Sequence, residues 1–210
     1  VRRLLVALAA LGLLAGCSSS GGQPQPTSSD LLGQSQVGRF QGAGLLPPQP
    51  RPTFTLTDTT GKPFAFQAKT TRHPTLVFFG YTHCPEECPT TMADIRLALR
   101  EVPASIAART FVVFVTTDVK RDTGPVLAAW LKQFSVGTKA TWVGLTGTQA
   151  QIDAAQAAAH VTIAQDGGET HSTEVLLYGP DDYAHVAFLL SNEEQQQIAH
   201  DLAVIGSQTA

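Results

Sequence analysis

Two kinds of apolar pattern alternate along residues 51–210 of this chain. Thr75-Leu76-Val77-Phe78-Phe79 and Phe111-Val112-Val113-Phe114-Val115-Thr116 are continuous apolar runs unbroken by charge, the pattern of parallel strands covered on both faces. Between them Met92, Ile95, Leu99 and Val102 recur at helical spacing, so a helix over 89–102 has one core-facing side. Ahead of the first run, Phe54 and Leu56 alternate with polar residues, Asp58-Thr59-Thr60-Gly61-Lys62 supplies a turn, and Phe64-Ala65-Phe66 returns, predicting a β-hairpin. Pro125 followed by Val126, Leu127, Trp130, Leu131 and Phe134 predicts a helix. Thr141-Trp142-Val143-Gly144-Leu145 is a further strand, and Thr146-Gly147-Thr148-Gln149 has capping-box spacing ahead of an Ala-rich helix reaching His160. A polar loop, Gln165 to His171, leads into Glu174-Val175-Leu176-Leu177-Tyr178. Gly179-Pro180-Asp181-Asp182 then turns the chain into a strand from Ala184 to Leu190, and a second capping box, Ser191-Asn192-Glu193-Glu194, opens a last helix. A hairpin, a βαβ unit, and a closing hairpin with a helix make an α/β domain with a mixed sheet flanked by helices.

The first 50 residues follow neither pattern. Val1-Arg2-Arg3 is basic and Leu4 to Leu14 is apolar, but the run falls short of the roughly 20 residues that cross a bilayer core. Residues 1–16 read as a signal peptide. Leu14-Ala15-Gly16-Cys17 resembles the bacterial lipobox, which implies lipid attachment at Cys17 and an exported domain anchored to the extracytoplasmic face of a membrane. From 17 to 50 the chain is rich in Ser, Gly, Gln and Pro with scarcely any charge, too polar to offset its ordering entropy by burial. It is expected to be a flexible tether spanning roughly 30 Å, with Phe40, Leu45 and Leu46 available to tack its end onto the domain.

Charge narrows the function classes. The chain carries a net charge of −3, and losing Arg2 and Arg3 with residues 1–16 takes it to −5. No basic patch supports nucleic-acid binding. The roughly 160 residues after the tether suffice for one core and one domain.

The chemistry concentrates in Gly80-Tyr81-Thr82-His83-Cys84-Pro85-Glu86-Glu87-Cys88-Pro89-Thr90-Thr91-Met92, which holds two of the three cysteines, four positions apart. If Pro85 and Pro89 open a helix, Cys84 lies at its N-terminus and Cys88 one turn on, facing one pocket. The helix dipole there favours thiolate, while Glu86 and Glu87 oppose it. Such a pair can form a disulfide or, with a third ligand from elsewhere, hold a soft metal such as Cu(I). Structural zinc would need two further ligands. A purely structural disulfide in an exported domain is the plainer alternative.

These residues resemble the SCO/SenC family. The likeness rests on Gly80-Tyr81-Thr82-His83-Cys84-Pro85-x-x-Cys88-Pro89-Thr90-Thr91, on Thr117-Asp118-x-x-Arg121-Asp122-Thr123, and on His171-Ser172 before a final strand pair, in the family's order over about residues 50 to 205. It implies a thioredoxin-like fold with an N-terminal β-hairpin extension. It further implies a chaperone that binds one copper ion, Cu(I) or Cu(II), through Cys84, Cys88 and His171, with the two cysteines also redox-active. The partners implied are the copper-bearing subunit of cytochrome c oxidase, other copper chaperones, and thiol-disulfide reductants. Asp118 is either a carboxylate behind the ligands or the cap of a turn, and Asp118-Val119 stands where the family has Asp-Pro. His83 is expected to pack or hydrogen-bond, and His73, His160, His185 and His200 to be solvated. Without copper, the same cysteines would make a thiol-disulfide oxidoreductase acting on exported proteins. A third alternative is an adaptor that uses the fold only as a surface. Tyr81 occupies the position where a peroxiredoxin has Thr, and neither a Gly-x-Ser-x-Gly elbow nor a Gly-rich phosphate loop is present.

Overall fold

The computed structural model describes residues 38–189 and 194–208. The expected signal peptide, Cys17, most of the tether and the start of the second capping box lie outside the described residues. In chain order the elements are β1 (Ala43–Pro50), β2 (Thr55–Asp58), β3 (Pro63–Ala65), α1 (Phe66–Thr70), β4 (Thr75–Gly80), α2 (Glu87–Glu101) and α3 (Ala104–Ala107). They continue with β5 (Phe111–Thr116), α4 (Gly124–Ser135), β6 (Thr141–Thr146), α5 (Gln149–Ala158), β7 (Val175–Tyr178), β8 (Tyr183–Phe188) and α6 (Glu194–Gly206). The eight strands form one mixed sheet in the order β1-β8-β7-β4-β5-β6-β2-β3. β4, β5 and β6 are parallel, while β7 lies antiparallel to β4 and β8 antiparallel to β7. This is the thioredoxin-like arrangement, with the β2–β3 hairpin as its extension.

The charge-free strands are buried on both faces, and the side-chain period of two splits them between two cores. Leu76, Phe78, Val112, Phe114, Val175 and Leu177 face Met92 and Ile95 of α2, Leu127 of α4, and Ile198 and Leu202 of α6. Their neighbours Val77, Phe79, Val113, Val115 and Leu176 face the other way, onto Phe66, Ile152 and Ala155.

Four local expectations are corrected. The ordered domain begins before residue 51, because β1 pairs with β8 (Ala43↔Ala187, Pro50↔Tyr183). Gly42 fits against that edge because a Cβ there would meet the Phe188 ring at 2.8 Å. Asp201 of α6 fastens the entry to β1 by accepting the Gln41 and Gly42 amides at 2.9 Å each, so pairing with β8 and a buried carboxylate outweigh the tether-like composition. Phe66 does not extend the hairpin but opens α1, which buries it on Tyr178. The capping box before α5 is shifted by two residues: Thr148 is the N-cap, its hydroxyl accepting from the Gln151 amide while the Gln151 side chain accepts from the Thr148 amide. His185 is not solvated; its ring is nearly buried and bonds Asp181 at 2.8 Å.

The topology decides where chemistry can collect. β4 and β5 both end at one edge of the sheet, the usual place for functional loops in parallel arrangements. Because β7 is antiparallel to β4, with Phe78 opposite Val175, the start of β7 lies at that same edge.

Candidate metal centre

Three loops meet at this edge. The first, residues 81–86, joins β4 to α2. That helix starts at Glu87 rather than at Pro85, so Cys84 stands in the loop and Cys88 in the first helical turn. The Cys88 amide donates to Cys84 Sγ at 3.3 Å, so the Cys84 sulfur satisfies a free amide of the first turn that the side chain of the N-cap residue, Glu86, does not. Both cysteines are free thiols. Cys88 is fully buried, whereas Cys84 is partly exposed.

The loop before β7 supplies the third group. His171 Nε2 lies 3.7 Å from Cys88 Sγ. Its Nδ1 is 2.6 Å from the Ser172 carbonyl oxygen; a carbonyl only accepts, so Nδ1 carries a proton, and in the neutral ring Nε2 is left to turn its lone pair toward the sulfur. The ring is held edge-on by Tyr81 at 5.5 Å and Phe78 at 6.2 Å between centroids. His171 thus meets the Cys88 sulfur directly, and Cys84 joins them through the Cys88 amide. The sulfurs are soft donors that suit Cu(I) and the imidazole nitrogen also suits Cu(II), but the three ligand atoms do not all lie within 4.8 Å of one another.

The expectation of easily formed thiolate fails at Cys88. Burial pushes its thiol well up; a backbone hydrogen bond at Tyr81 opposes this, and Cys84 and Glu87 reinforce it. The helix start stabilises thiolate by less than the loss of solvent costs, so metal-free Cys88 is a thiol at neutral pH.

The third loop, after β5, braces the first. Asp122 is fully buried. Its carboxylate accepts from the Thr82 amide at 2.9 Å, from the Thr82 hydroxyl at 2.5 Å and from the Thr116 hydroxyl at 2.6 Å. Asp118 touches neither cysteine nor His171 in the hydrogen bonds of this edge. Its carboxylate is engaged by the Arg121 guanidinium and also accepts the Arg121 amide at 3.3 Å, a turn-capping arrangement, while Arg121 reaches on to Glu169 at 2.9 Å. His83 hydrogen-bonds Thr82 at 3.1 Å and is half exposed. His83, Asp118 and Asp122 each place a ligand-type atom within 4.8 Å of the others. The Asp122 oxygens are nevertheless committed to Thr82 and Thr116, and Asp118 to Arg121, which makes this group a brace. Residue order places Asp122, Thr82 and Tyr81 inside the motifs but gives them no part in the site. Their signal was a carboxylate in the loop after a buried strand, with one threonine at that strand's end and another in the cysteine loop.

Comparison with known proteins identifies the family. The family model SCO1/SenC matches residues 45–206. A putative copper-binding protein of Stutzerimonas stutzeri is 32% identical over 145 residues, covering 65% of this chain and 69% of that protein. Protein SenC of Rhodobacter capsulatus is 34% identical over 146 residues, 67% of this chain and 63% of its own length. The structure of Bradyrhizobium japonicum ScoI with copper bound superposes with a TM-score of 0.60 at 29% identity, covering 75% of this chain and 99% of that one. With a matching family model over most of the domain and the motif residues gathered at one sheet edge, the chain belongs to the SCO1/SenC family.

Proposed function

We propose that this protein is a membrane-tethered copper-binding assembly factor. It takes one copper ion through Cys84, Cys88 and His171 and serves the binuclear copper site of cytochrome c oxidase, by delivering the metal or by keeping that site's cysteines reduced. The observation that carries this reading is the 3.7 Å approach of His171 Nε2 to Cys88 Sγ with Nδ1 already bonded to Ser172, because a dithiol reductase has no need of an imidazole lone pair aimed at its buried sulfur. Copper is the cargo here. Its capture releases the Cys88 proton, since the ligand is the thiolate, and the neighbouring Tyr81 and Phe78 rings pack edge-on against the His171 ring.

Anchoring through lipid at Cys17, with the domain on the extracytoplasmic face, is part of the proposal. No described helix is long and apolar enough to cross a membrane. A lipid-bearing Cys17 followed by a Ser/Gly/Pro tether would hold the domain beside a membrane-embedded partner. Cys17→Ser should shift the protein out of the membrane fraction and change its mass.

A second reading is favoured by the free cysteines and by the Cys88 amide on Cys84 Sγ. The dithiol reduces a disulfide in a partner: Cys84 and Cys88 give up two electrons and two protons and become a disulfide, and the partner's disulfide becomes two thiols. Exposure makes Cys84 the attacking sulfur and Cys88 the resolving one. One experiment separates the readings: copper affinity and thiolate-to-Cu(II) charge-transfer absorbance for wild type, Cys84→Ser, Cys88→Ser and His171→Ala. Copper carriage predicts that either Cys variant loses tight Cu(I) binding and that His171→Ala weakens Cu(II) most. Wild-type copper behaviour of His171→Ala, with disulfide exchange lost in both Cys variants, would replace the copper reading with the reductase.

A further inference from the structure

The imidazole in the centre belongs to a loop that runs from the end of α5 at Ala158 to β7 at Val175 and contains a short helical turn, Asp166–Gly168, closed by one bridge between Gln165 and Thr170, with His171 just outside it. What sets the position of His171 is therefore not its own secondary structure. The loop meets the strand end after β5 at one buried point. The Thr117 hydroxyl donates to the Gly168 carbonyl at 2.7 Å in a buried hydrogen bond. Gly168 has φ +103°, and a Cβ there would overlap the Thr117 carbonyl oxygen and lie 2.9 Å from the Asp118 nitrogen. Its neighbour Gly167 also has positive φ, +74°, yet a Cβ there would meet nothing within 4 Å. The two glycines thus separate close seating from backbone conformation. Thr117 is itself fixed, because its amide donates to the Gly80 carbonyl at 2.8 Å, at the start of the cysteine loop. On the outer side Glu169 accepts from Arg121, whose guanidinium also engages Asp118 and lies 6.0 Å from the Tyr81 ring centroid. Tyr81 in turn meets the His171 ring.

We propose that Gly168 is a positioning residue for the metal centre: its seat on Thr117 holds His171 over Cys88, so the imidazole's share in copper binding depends on a glycine three residues away. This rests on the copper reading above. The chain needs glycine for two reasons at this position, the left-handed backbone and the absence of a Cβ where Thr117 presses. Adding a methyl group must lift residues 168–171 as a unit, since the Thr117 backbone is locked into the sheet edge. The cysteines, held from α2 and the Asp122 brace, do not move with it.

The test compares Gly168→Ala, Gly167→Ala, Thr117→Val and His171→Ala in the full chain. Three readouts are used: Cu(II) affinity with the nitrogen hyperfine pattern in electron paramagnetic resonance, Cu(I) affinity by chelator competition, and amide hydrogen exchange of 165–171 in copper-free protein. Gly168→Ala should lose about tenfold or more in Cu(II) affinity, as loss of an orienting contact behind a ligand does. It should also lose the nitrogen pattern and speed amide exchange in the loop, while Cys84 and Cys88 exchange disulfides at the wild-type rate. Gly167→Ala should stay within a few-fold of wild type, because it adds positive-φ strain without the overlap. Thr117→Val, which keeps shape and drops the hydroxyl, should fall between them and carries the test if Gly168→Ala does not fold. Wild-type nitrogen hyperfine and loop exchange in Gly168→Ala, or in Thr117→Val where it stands in, would overturn the assignment, as would Gly167→Ala matching Gly168→Ala. His171→Ala with wild-type copper behaviour would instead overturn the copper reading itself, so the two failures are told apart.

Discussion

The two ends of the central sheet each bury polar side chains, and they treat them in opposite ways. At the end away from the cysteines, the Arg51 side chain is fully buried. Its guanidinium bonds Asp182 at 2.8 Å, Thr70 at 3.0 Å, and the carbonyls of His73 and Gly179 at 3.0 and 2.8 Å, with the Tyr178 ring 5.1 Å away. Burial lowers the Arg51 pKa, and the Asp182 charge and hydrogen bond oppose that shift. At the other end Cys88 is just as buried, yet its sulfur has no charged partner of that kind: it meets a backbone group of Tyr81, the Cys84 thiol and, at 3.7 Å, His171. The first end stitches β1, α1 and the β7–β8 turn together and spends its donors on protein acceptors. The second keeps a soft sulfur and a nitrogen lone pair uncommitted, which a metal centre requires and a structural clasp does not.

That contrast can be broken most readily at Arg51. Arg51→Met keeps much of the apolar stem and removes the charge, leaving two carbonyls, Thr70 and Asp182 without their partner. The expected loss is about 3 kcal/mol, discounted from the fully buried case because Asp182 is a third exposed. It is read from urea unfolding, with the copper spectrum of the folded protein unchanged. A loss under about 1 kcal/mol would mean that the clasp is no more structural than a surface pair.

Gly80→Ala sharpens the comparison from the site side. A Cβ there would sit 2.8 Å from Cys88 Sγ and 3.2 Å from the Phe114 and Phe78 rings. Overpacking of this kind costs about 2 kcal/mol, and here the displaced atom is a proposed ligand, so copper affinity should fall together with the unfolding midpoint. Unaltered copper affinity at reduced stability would show that Cys88 has room to move.

A smaller effect is expected at Asp122. Asp122→Asn keeps one acceptor oxygen and loses the charge that the Thr82 amide and two hydroxyls bond, costing about 1.5 kcal/mol. Because Thr82 lies two residues before Cys84, the cysteine loop should loosen, which faster alkylation of Cys84 would report. Equal alkylation rates would remove Asp122 from the centre's support.

The smallest effect belongs to pH. Burial acts to raise the Asp181 carboxyl, but the His185 hydrogen bond and charge, with backbone bonds, hold it below its ordinary value of 3.8. A depressed carboxyl stabilises the fold above its unfolded value, and this contribution is lost as pH falls through the folded one. Comparing wild type with Asp181→Asn from about pH 5 to about pH 2 should show the wild-type advantage shrinking with acid. Parallel stability curves would dismiss the contribution.

Much of this was legible in residue order, and the exceptions have identifiable causes. The strands at 75–80 and 111–116 and the helix over 87–101 follow from periodicity, because a face must be apolar before it can be buried. The motif around Cys84 and Cys88 marked the chemistry, since few residue types ionise to soft ligands. β1 escaped notice because Leu45 and Leu46 sit among prolines and glycines that read as tether, and its pairing depends on an edge that β8 supplies from 140 residues away. The thiol at Cys88 was misjudged for a related reason: a helix start is visible in sequence, but the depth of its burial is not.

The sequence by itself determined which segments are apolar on which face, where turns must fall, and which side chains are candidate soft ligands, all of them properties of short stretches. Only the tertiary structure decided that β7 runs antiparallel to β4, which carries His171 to the edge where Cys88 lies. It also decided that Asp122 rather than Asp118 braces the cysteine loop, and that Gly168 is pressed onto Thr117. These depend on contacts between residues 40 to more than 80 positions apart, and no local pattern encodes a distance of that kind.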